Sequence, residues 1–132
     1  MKIAVIERCS DMREVYRNIF SSKVMVVECF NTLEPNHILE NSYDVLISNL
    51  NLPYIDSLKK ISELRLAKPQ MPIAVVSGCI SYSDEEIKDF GVNRVFRKPR
   101  DISLIQEWLM AQMKKLSSKS RHLRLVSSAK LK

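Results

Sequence analysis

The sequence predicts an α/β fold, an open three-layer doubly wound sheet of five β-α units. Three observations predict it. Short apolar runs alternate five times with amphipathic helical stretches, the pattern of parallel strands joined by crossover helices. The chain has 132 residues, too few for a closed (β/α)₈ barrel of roughly 250. Polar residues follow the strand-like runs, where an open α/β sheet presents its chemistry.

Each element has a local reason. Residues 2–7 are a short apolar, β-rich run that suits a buried strand. Ser10 or Asp11 can cap a helix over 11–21 with Met12, Val15, Tyr16 and Ile19 on one face. A second strand spans 24–29. Thr32 precedes a short helix with Pro35 in its first turn, where a missing N–H costs little. The third strand spans 45–48. Asp56 or Ser57 opens a third helix, with Leu58, Ile61, Leu64 and Leu66 inward. Pro69 and Pro72 bracket the loop before a fourth strand at 73–77. Ser83 opens a fourth helix with Asp84, Glu85 and Glu86 at its positive dipole end. Gly91 ends that helix. A weaker fifth strand spans 94–97. The last helix starts near Asp101 and buries Ile102, Ile105, Trp108, Leu109 and Met113, with Leu116 the last candidate. Leu123, Leu125, Val126 and Leu131 read as leaving that stripe, which predicts a poorly ordered end.

Charge divides the chain. The net charge is +6, yet residues 114–132 hold seven Lys or Arg and no acid. The remaining 14 bases and 15 acids leave residues 1–113 at −1. The expected organisation is a folded domain over 1–116 and a basic C-terminal tail over 117–132. The tail can touch nucleic acid, an anionic membrane or an acidic partner. It lacks aromatics for base stacking, so a solvated extension is preferred. Cys9, Cys29 and Cys79 lack metal-ligand spacing and read as thiols of a reducing, cytoplasmic compartment. No apolar run is long enough to span a membrane, and no signal peptide is expected. His37, on a short surface helix, and His122, in the tail, have no partnering acid or Cys and read as solvated residues.

The polar residues expected at the sheet's C-terminal edge are Glu7 and Arg8 after strand 1, Asn49 after strand 3, Ser77 after strand 4 and Lys98 after strand 5. Their surroundings carry a resemblance. Asn49-Leu50-Asn51-Leu52-Pro53, Ile73-Ala74-Val75-Val76-Ser77-Gly78, Gly91-Val92-Asn93-Arg94-Val95-Phe96-Arg97-Lys98-Pro99 and Asp11-Met12-Arg13-Glu14 stand in order at characteristic spacing. Over residues 2–116 the chain resembles the receiver domain of bacterial two-component response regulators. The resemblance implies the flavodoxin-like fold with parallel strand order 2-1-3-4-5. It implies a signalling module, not an enzyme, with a protein partner. It also implies a cis Lys98–Pro99 peptide bond.

The pattern departs from the family at the chemistry. Receivers use two acids after strand 1 and an acceptor Asp after strand 3, which also hold a divalent metal. A Ser or Thr and a Lys hold the phosphoryl oxygens. Only Ser77 and Lys98 match fully; Glu7 is a longer acid, Arg8 replaces the second acid and Asn49 replaces the acceptor. An amide has no anionic oxygen to attack phosphorus. The family's pocket carries a net −2, whereas Glu7, Arg8 and Lys98 give +1. A guanidinium roughly 3–5 Å from a metal position repels it by several kcal/mol at intermediate dielectric. Val95 stands at the aromatic switch position, and Tyr54 and Ser57 replace loop glycines. The reading is a degenerate, phosphorylation-independent receiver with no metal and no cofactor. It is expected to act through the fourth helix, fifth strand and fifth helix, with Lys88, Arg94, Arg97, Gln106 and Met110 as contact candidates. A homodimer is compatible with this reading. Arg8 is expected to plug the vacant site by pairing with Glu7 or Asn49, and Lys98 to lie close to the same groups. The rivals are an anion- or nucleotide-sensing regulator using Arg8, Ser77 and Lys98, and a nucleic-acid-associated regulator working through the tail.

Overall fold

A computed structural model describes residues 1–78, 81–98 and 102–130, with side chains up to residue 118. The expected Lys98–Pro99 bond and Cys79 lie outside the described residues. The elements in order are β1 (Lys2–Ile6), α1 (Ser10–Phe20), β2 (Val26–Phe30), α2 (Pro35–Glu40), β3 (Val45–Asn49), α3 (Tyr54–Ala67), β4 (Ile73–Ser77), α4 (Asp84–Asp89), β5 (Arg94–Arg97) and α5 (Ile102–Lys130). All five strands are parallel in the order β2-β1-β3-β4-β5. This is the α/β flavodoxin-like topology the sequence predicts.

The chain divides into two compact units, Met1–Asp101 and Ile102–Lys132. In the first, β3 and β4 are buried at every residue, as central strands of a parallel sheet must be. Ala4, Ile6, Leu46, Ile73 and Val75 share one apolar cluster with Ile38 of α2, Leu58, Ile61 and Leu64 of α3, and Ile87 of α4. Strand alternation turns the buried Ile3, Val5, Val45 and Ile47 to the other face. α1 packs beside β2 and buries Tyr16 and Phe20, whose rings stack at 5.5 Å.

Several local expectations shift. Ile19 is 40% exposed and Phe20, one turn beyond Tyr16, takes the buried place. α3 starts at Tyr54, two residues before Asp56, with Pro53 in the cap position, and Leu66 is exposed at its far end. α1 starts at Ser10, so Cys9 holds its cap position. At α4 the capping box forms as expected: Ser83 Oγ accepts from the Glu86 N–H at 3.1 Å and Glu86 Oε1 accepts from the Ser83 N–H at 3.0 Å. In the second unit Ile105 and Leu109 are buried, and Trp108 and Met113 are half-buried. α5 runs on to Lys130, past the expected stop. Its sequence holds no Gly or Pro, and Lys, Leu, Arg and Ala sustain a helix. Leu116, the last candidate of the buried stripe, is exposed.

Polar staples close the sheet's N-terminal edge. The Lys2 N–H donates to Asp44 Oδ2 at 2.8 Å and Lys2 Nζ to the Asn41 carbonyl at 2.9 Å. Tyr43 Oη donates to Glu28 Oε2 at 2.6 Å, with Lys2 Nζ 3.5 Å from Glu28 Oε1. The Tyr43 bond, helped by Lys2 and opposed by burial, holds the Glu28 carboxyl below its usual range. Burial, then the Glu28 bond, pushes the Tyr43 phenol up. Arg65 ties α3 to the turn before β5. Its Nε donates to the Gly91 carbonyl at 2.8 Å, Nη1 to the Lys68 carbonyl at 2.9 Å, and Nη2 to Asn93 Oδ1 at 2.7 Å. Asn93 Oδ1 also accepts the Ile73 N–H at 2.8 Å. Gly91 has φ +104°, and a Cβ there would stand 2.6 Å from Arg65 Cγ. Only glycine meets both demands.

Two outcomes follow. Arg65→Ala loses several bonds and leaves Asn93 and the Gly91 carbonyl short of a donor, at about 1–3 kcal/mol. The melting temperature should fall by several degrees, and Arg65→Lys, without the fork, should recover little of it. Tyr43→Phe should destabilise at neutral pH. A depressed carboxylate contributes stability above its unfolded pKa and loses it as pH falls through the folded value. The gap between wild type and Tyr43→Phe in chemical denaturation should therefore close on acidification below the ordinary carboxylate range.

Candidate functional site

Register builds the site. Ile6 pairs with Ser48, Asn49 with Val76, and Ser77 with Arg97. Glu7, Asn49, Ser77 and Lys98 therefore arrive together at the C-terminal edge of the sheet. Glu7 and Asn49 are each 4% exposed and Ser77 1%. The Glu7 N–H donates to the Phe30 carbonyl at 2.8 Å, and Glu7 Oε1 accepts from the Cys9 N–H at 3.2 Å. Glu7 Oε2 and Asn49 Oδ1 are buried without a partner among the described residues. Each such orphan costs about 1–3 kcal/mol. The Lys98 N–H donates to the Ser77 carbonyl at 3.0 Å, and the Lys98 stem passes over Gly78, where an added Cβ would lie 3.6 Å from Cδ.

The expected plug does not form. Arg8 is exposed and its guanidinium makes no hydrogen bond or ion pair among the described residues, so Glu7 and Asn49 keep their orphaned oxygens. The reason is local: the chain turns outward at Arg8 into the start of α1. Arg13, one turn into α1, fixes that turn instead. Its Nη1 donates to the carbonyls of Glu7 at 2.9 Å and Arg8 at 2.8 Å. The sequence reading gave Arg13 no such role, and only its place one turn past the loop hints at it. Lys98 is exposed and likewise forms no ion pair with Glu7.

A cleft of about 190 Å³ opens beside Asn49. Arg8, Asn49, Thr32, Asn51, Ser57 and Lys60 line its polar part, with Asp56 at the rim and Ile6, Leu33, Leu52 and Pro53 as apolar wall. Ser77 and Lys98, expected to complete an anion site with Arg8, are not among the lining side chains. Lys60 escaped the sequence reading because its signal, i+4 from Asp56 on α3, is equally that of a solvated helix pair.

The contact candidates separate. Lys88 and Arg94 are exposed, the latter with its guanidinium 5.1 Å from the Phe96 ring centre. Arg97 is committed inside the fold, with Nε donating to Asp84 Oδ1 at 2.8 Å and Nη2 to the Tyr82 carbonyl at 3.0 Å. It drops out as a free contact residue because β5 carries it to the start of α4. Gln106 and Met110 are exposed on α5, along a groove with Ser103, Glu107, Ala111 and Lys114. Val95 is half-buried.

The donor set does not fit the divalent metal of receiver chemistry. Around Asn49 stand the buried Glu7, Asp56 at the cleft rim and the cationic Arg8, with an amide in place of a third acid, where a hard cation needs several anionic oxygens. No three His, Cys, Asp or Glu cluster among the described residues in a way that could hold a metal. No helix among them is long and apolar enough to cross a membrane.

The transcriptional regulatory protein FlgR of Helicobacter pylori is 27% identical over 126 residues, which cover 92% of this chain and 32% of FlgR. The chain thus spans about a third of that relative's length. A two-component response regulator from Clostridium difficile superposes with a TM-score of 0.72 at 15% identity, covering 88% of this chain and 98% of the other. The receiver domain of the Francisella response regulator 1452 gives 0.71 at 18% identity, covering 87% and 98%. The family description "Response regulator receiver domain" matches residues 3–110. With that match over most of its length and the sheet order of such domains, the chain belongs to the response regulator receiver domain family, the modules of two-component signalling.

Proposed function

We propose that this chain is a degenerate receiver that signals without phosphorylation, through contact with a protein partner. Asn49 carries the reading: the last residue of β3, buried at the C-terminal edge, is an amide. It offers no nucleophilic oxyanion where the family places its acceptor. Arg8 beside Glu7 works in the same direction, since it removes one metal ligand and adds a cation. Val95 at the switch position removes the aromatic that would report the modification. Glu7, Arg8, Asn49, Ser77 and Lys98 are then the remains of the phosphorylation pocket.

The contact residues we assign are Lys88 and Arg94 around α4 and β5, with Arg97 holding Asp84 in place, and Gln106 and Met110 on α5. The domain proper is residues 1–116, and residues 117–132 are a basic extension. The compartment is reducing and cytoplasmic, which the thiols of Cys9 and Cys29 favour.

Treatment with acetyl phosphate and magnesium, followed by mass spectrometry, should give no acyl-phosphate adduct. Asn49→Asp alone should remain unlabelled, because Arg8 still opposes the metal. Arg8→Asp combined with Asn49→Asp should gain a magnesium-dependent adduct. Labelling of the wild-type chain would overturn the reading. Deleting 118–132 should lower the melting temperature by about a degree or two, since an extension that buries little contributes little. Unfolding on deletion would make the extension part of the domain.

A further inference from the structure

α5 is one continuous helix from Ile102 to Lys130. Its residues 114–130 carry six Lys or Arg and no Asp or Glu, whereas residues 1–113 sum to −1. From Lys114 to Ser118 every side chain is exposed, Leu116 included, so the charged stretch starts where burial stops. Lys114 and Lys115 form no ion pair among the described residues. Folding gives no reason for these charges. Cations favour a helix C-terminus only within about its last turn, which accounts for Lys130 alone. Lys115 and Lys119 stand at i and i+4, and Arg121 and Arg124 at i and i+3. Like-charged pairs at such spacing oppose the helix that carries them. A polyanion laid along the helix replaces that repulsion by attraction.

Spacing selects the polyanion. At about 1.5 Å and 100° per residue, Lys114 to Lys130 is about 24 Å of helix, and positions 118, 122, 125 and 129 form one row. Arg121 and Arg124 stand on one side of that row, and Lys115, Lys119 and Lys130 on the other. The major groove of B-form DNA, about 12 Å wide, admits an α-helix and has a phosphate strand on each side. The two cation flanks match the two strands. The row between them holds Ser118, His122, Leu125 and Ala129, without the Arg, Asn or Gln that reads a base bidentately. The major groove of A-form RNA is too deep and narrow for side chains to read. Single strands are held by aromatic stacking, and residues 114–132 contain no Phe, Tyr or Trp. A helix lying in a membrane surface needs one apolar face, yet Leu123 and Leu125 stand about 200° apart around the axis.

We infer that the C-terminal part of α5 binds double-stranded DNA through its phosphates, without regard to base sequence, with Lys115 and Lys119 serving one strand and Arg121 and Arg124 the other. Contacts of this kind position a protein on the duplex and carry no sequence information. The inference goes beyond the protein-contact reading and is independent of it. Acetyl phosphate labelling says nothing about DNA binding, and DNA binding says nothing about labelling.

The test is fluorescence anisotropy of a labelled duplex of about 20 base pairs, titrated with the full chain from about 50 to 200 mM salt. Binding should saturate with a Kd of micromolar order, and log K should fall against log salt with a slope of about −3 to −5, as three to six phosphates are neutralised. Two duplexes of unrelated sequence should bind within about threefold of each other. Lys119→Gln combined with Arg121→Gln should flatten the slope by about two and weaken binding about fiftyfold at 0.1 M salt, the worth of two phosphate contacts. Lys23→Gln, at an exposed cation in the loop before β2, should change neither. Circular dichroism of both variants checks that the fold is kept. Failure to saturate at low salt, a slope shallower than about −2, or wild-type affinity in the double variant would overturn the inference. So would an equal loss in Lys23→Gln, tighter binding to the single strand of the same sequence, or capture by phosphatidylglycerol vesicles that the duplex does not compete off.

Discussion

The structure depends on one constraint: the central strands β3 and β4 are buried from end to end in a parallel sheet, and β1 from Ile3 onward. Their backbone groups are paired strand to strand, and apart from Ser48, Asn49 and Ser77 near the C-terminal ends their buried side chains are apolar. Polar chemistry is then confined to the strand ends. Because the strands are parallel, all C-terminal ends fall on one edge. Glu7, Asn49, Ser77 and Lys98 meet there although they are separated by up to 91 positions in the chain. The site is a consequence of register, and any residue in those four places would be brought together.

What the four places can do is set by charge. Three carboxylates around one Lys make a cation site. One carboxylate with Arg8 and Lys98 at the same edge makes a surface with surplus positive charge. Glu7 Oε2 and Asn49 Oδ1 have no partner among the described residues, because Arg8 turns outward instead of filling the space. A divalent metal ion is repelled by the surplus charge.

The fold was legible because its signals are periodic and local. The run 73–77 is apolar at nearly every residue, and Ser83 with Glu86 three positions on marks a helix start that forms as read. The site residues were legible by place, since strand ends can be counted. Their orientations were not. Whether Arg8 points at Glu7 or away depends on how Arg13 grips the two carbonyls before it, a contact that no spacing rule encodes. Arg97 looked like a free surface cation, yet its partner Asp84 lies 13 residues away across a loop.

The two edges of the sheet divide the work between stability and function. At the N-terminal edge, Lys2 is held by Asp44 and Asn41, Tyr43 by Glu28, and Ile73 by Asn93, itself gripped by Arg65. These bonds fix where β1, β3 and β4 begin, and hence the register at which they end. At the C-terminal edge the backbone pairing is joined by the Arg13 grip, the Cys9 N–H on Glu7 and the Arg97 bonds to Asp84 and Tyr82. The side chain of Arg8 forms no bond there among the described residues, and Asn49 Oδ1 is left without a donor. Register set at one end of the sheet therefore positions whatever residue stands at the other.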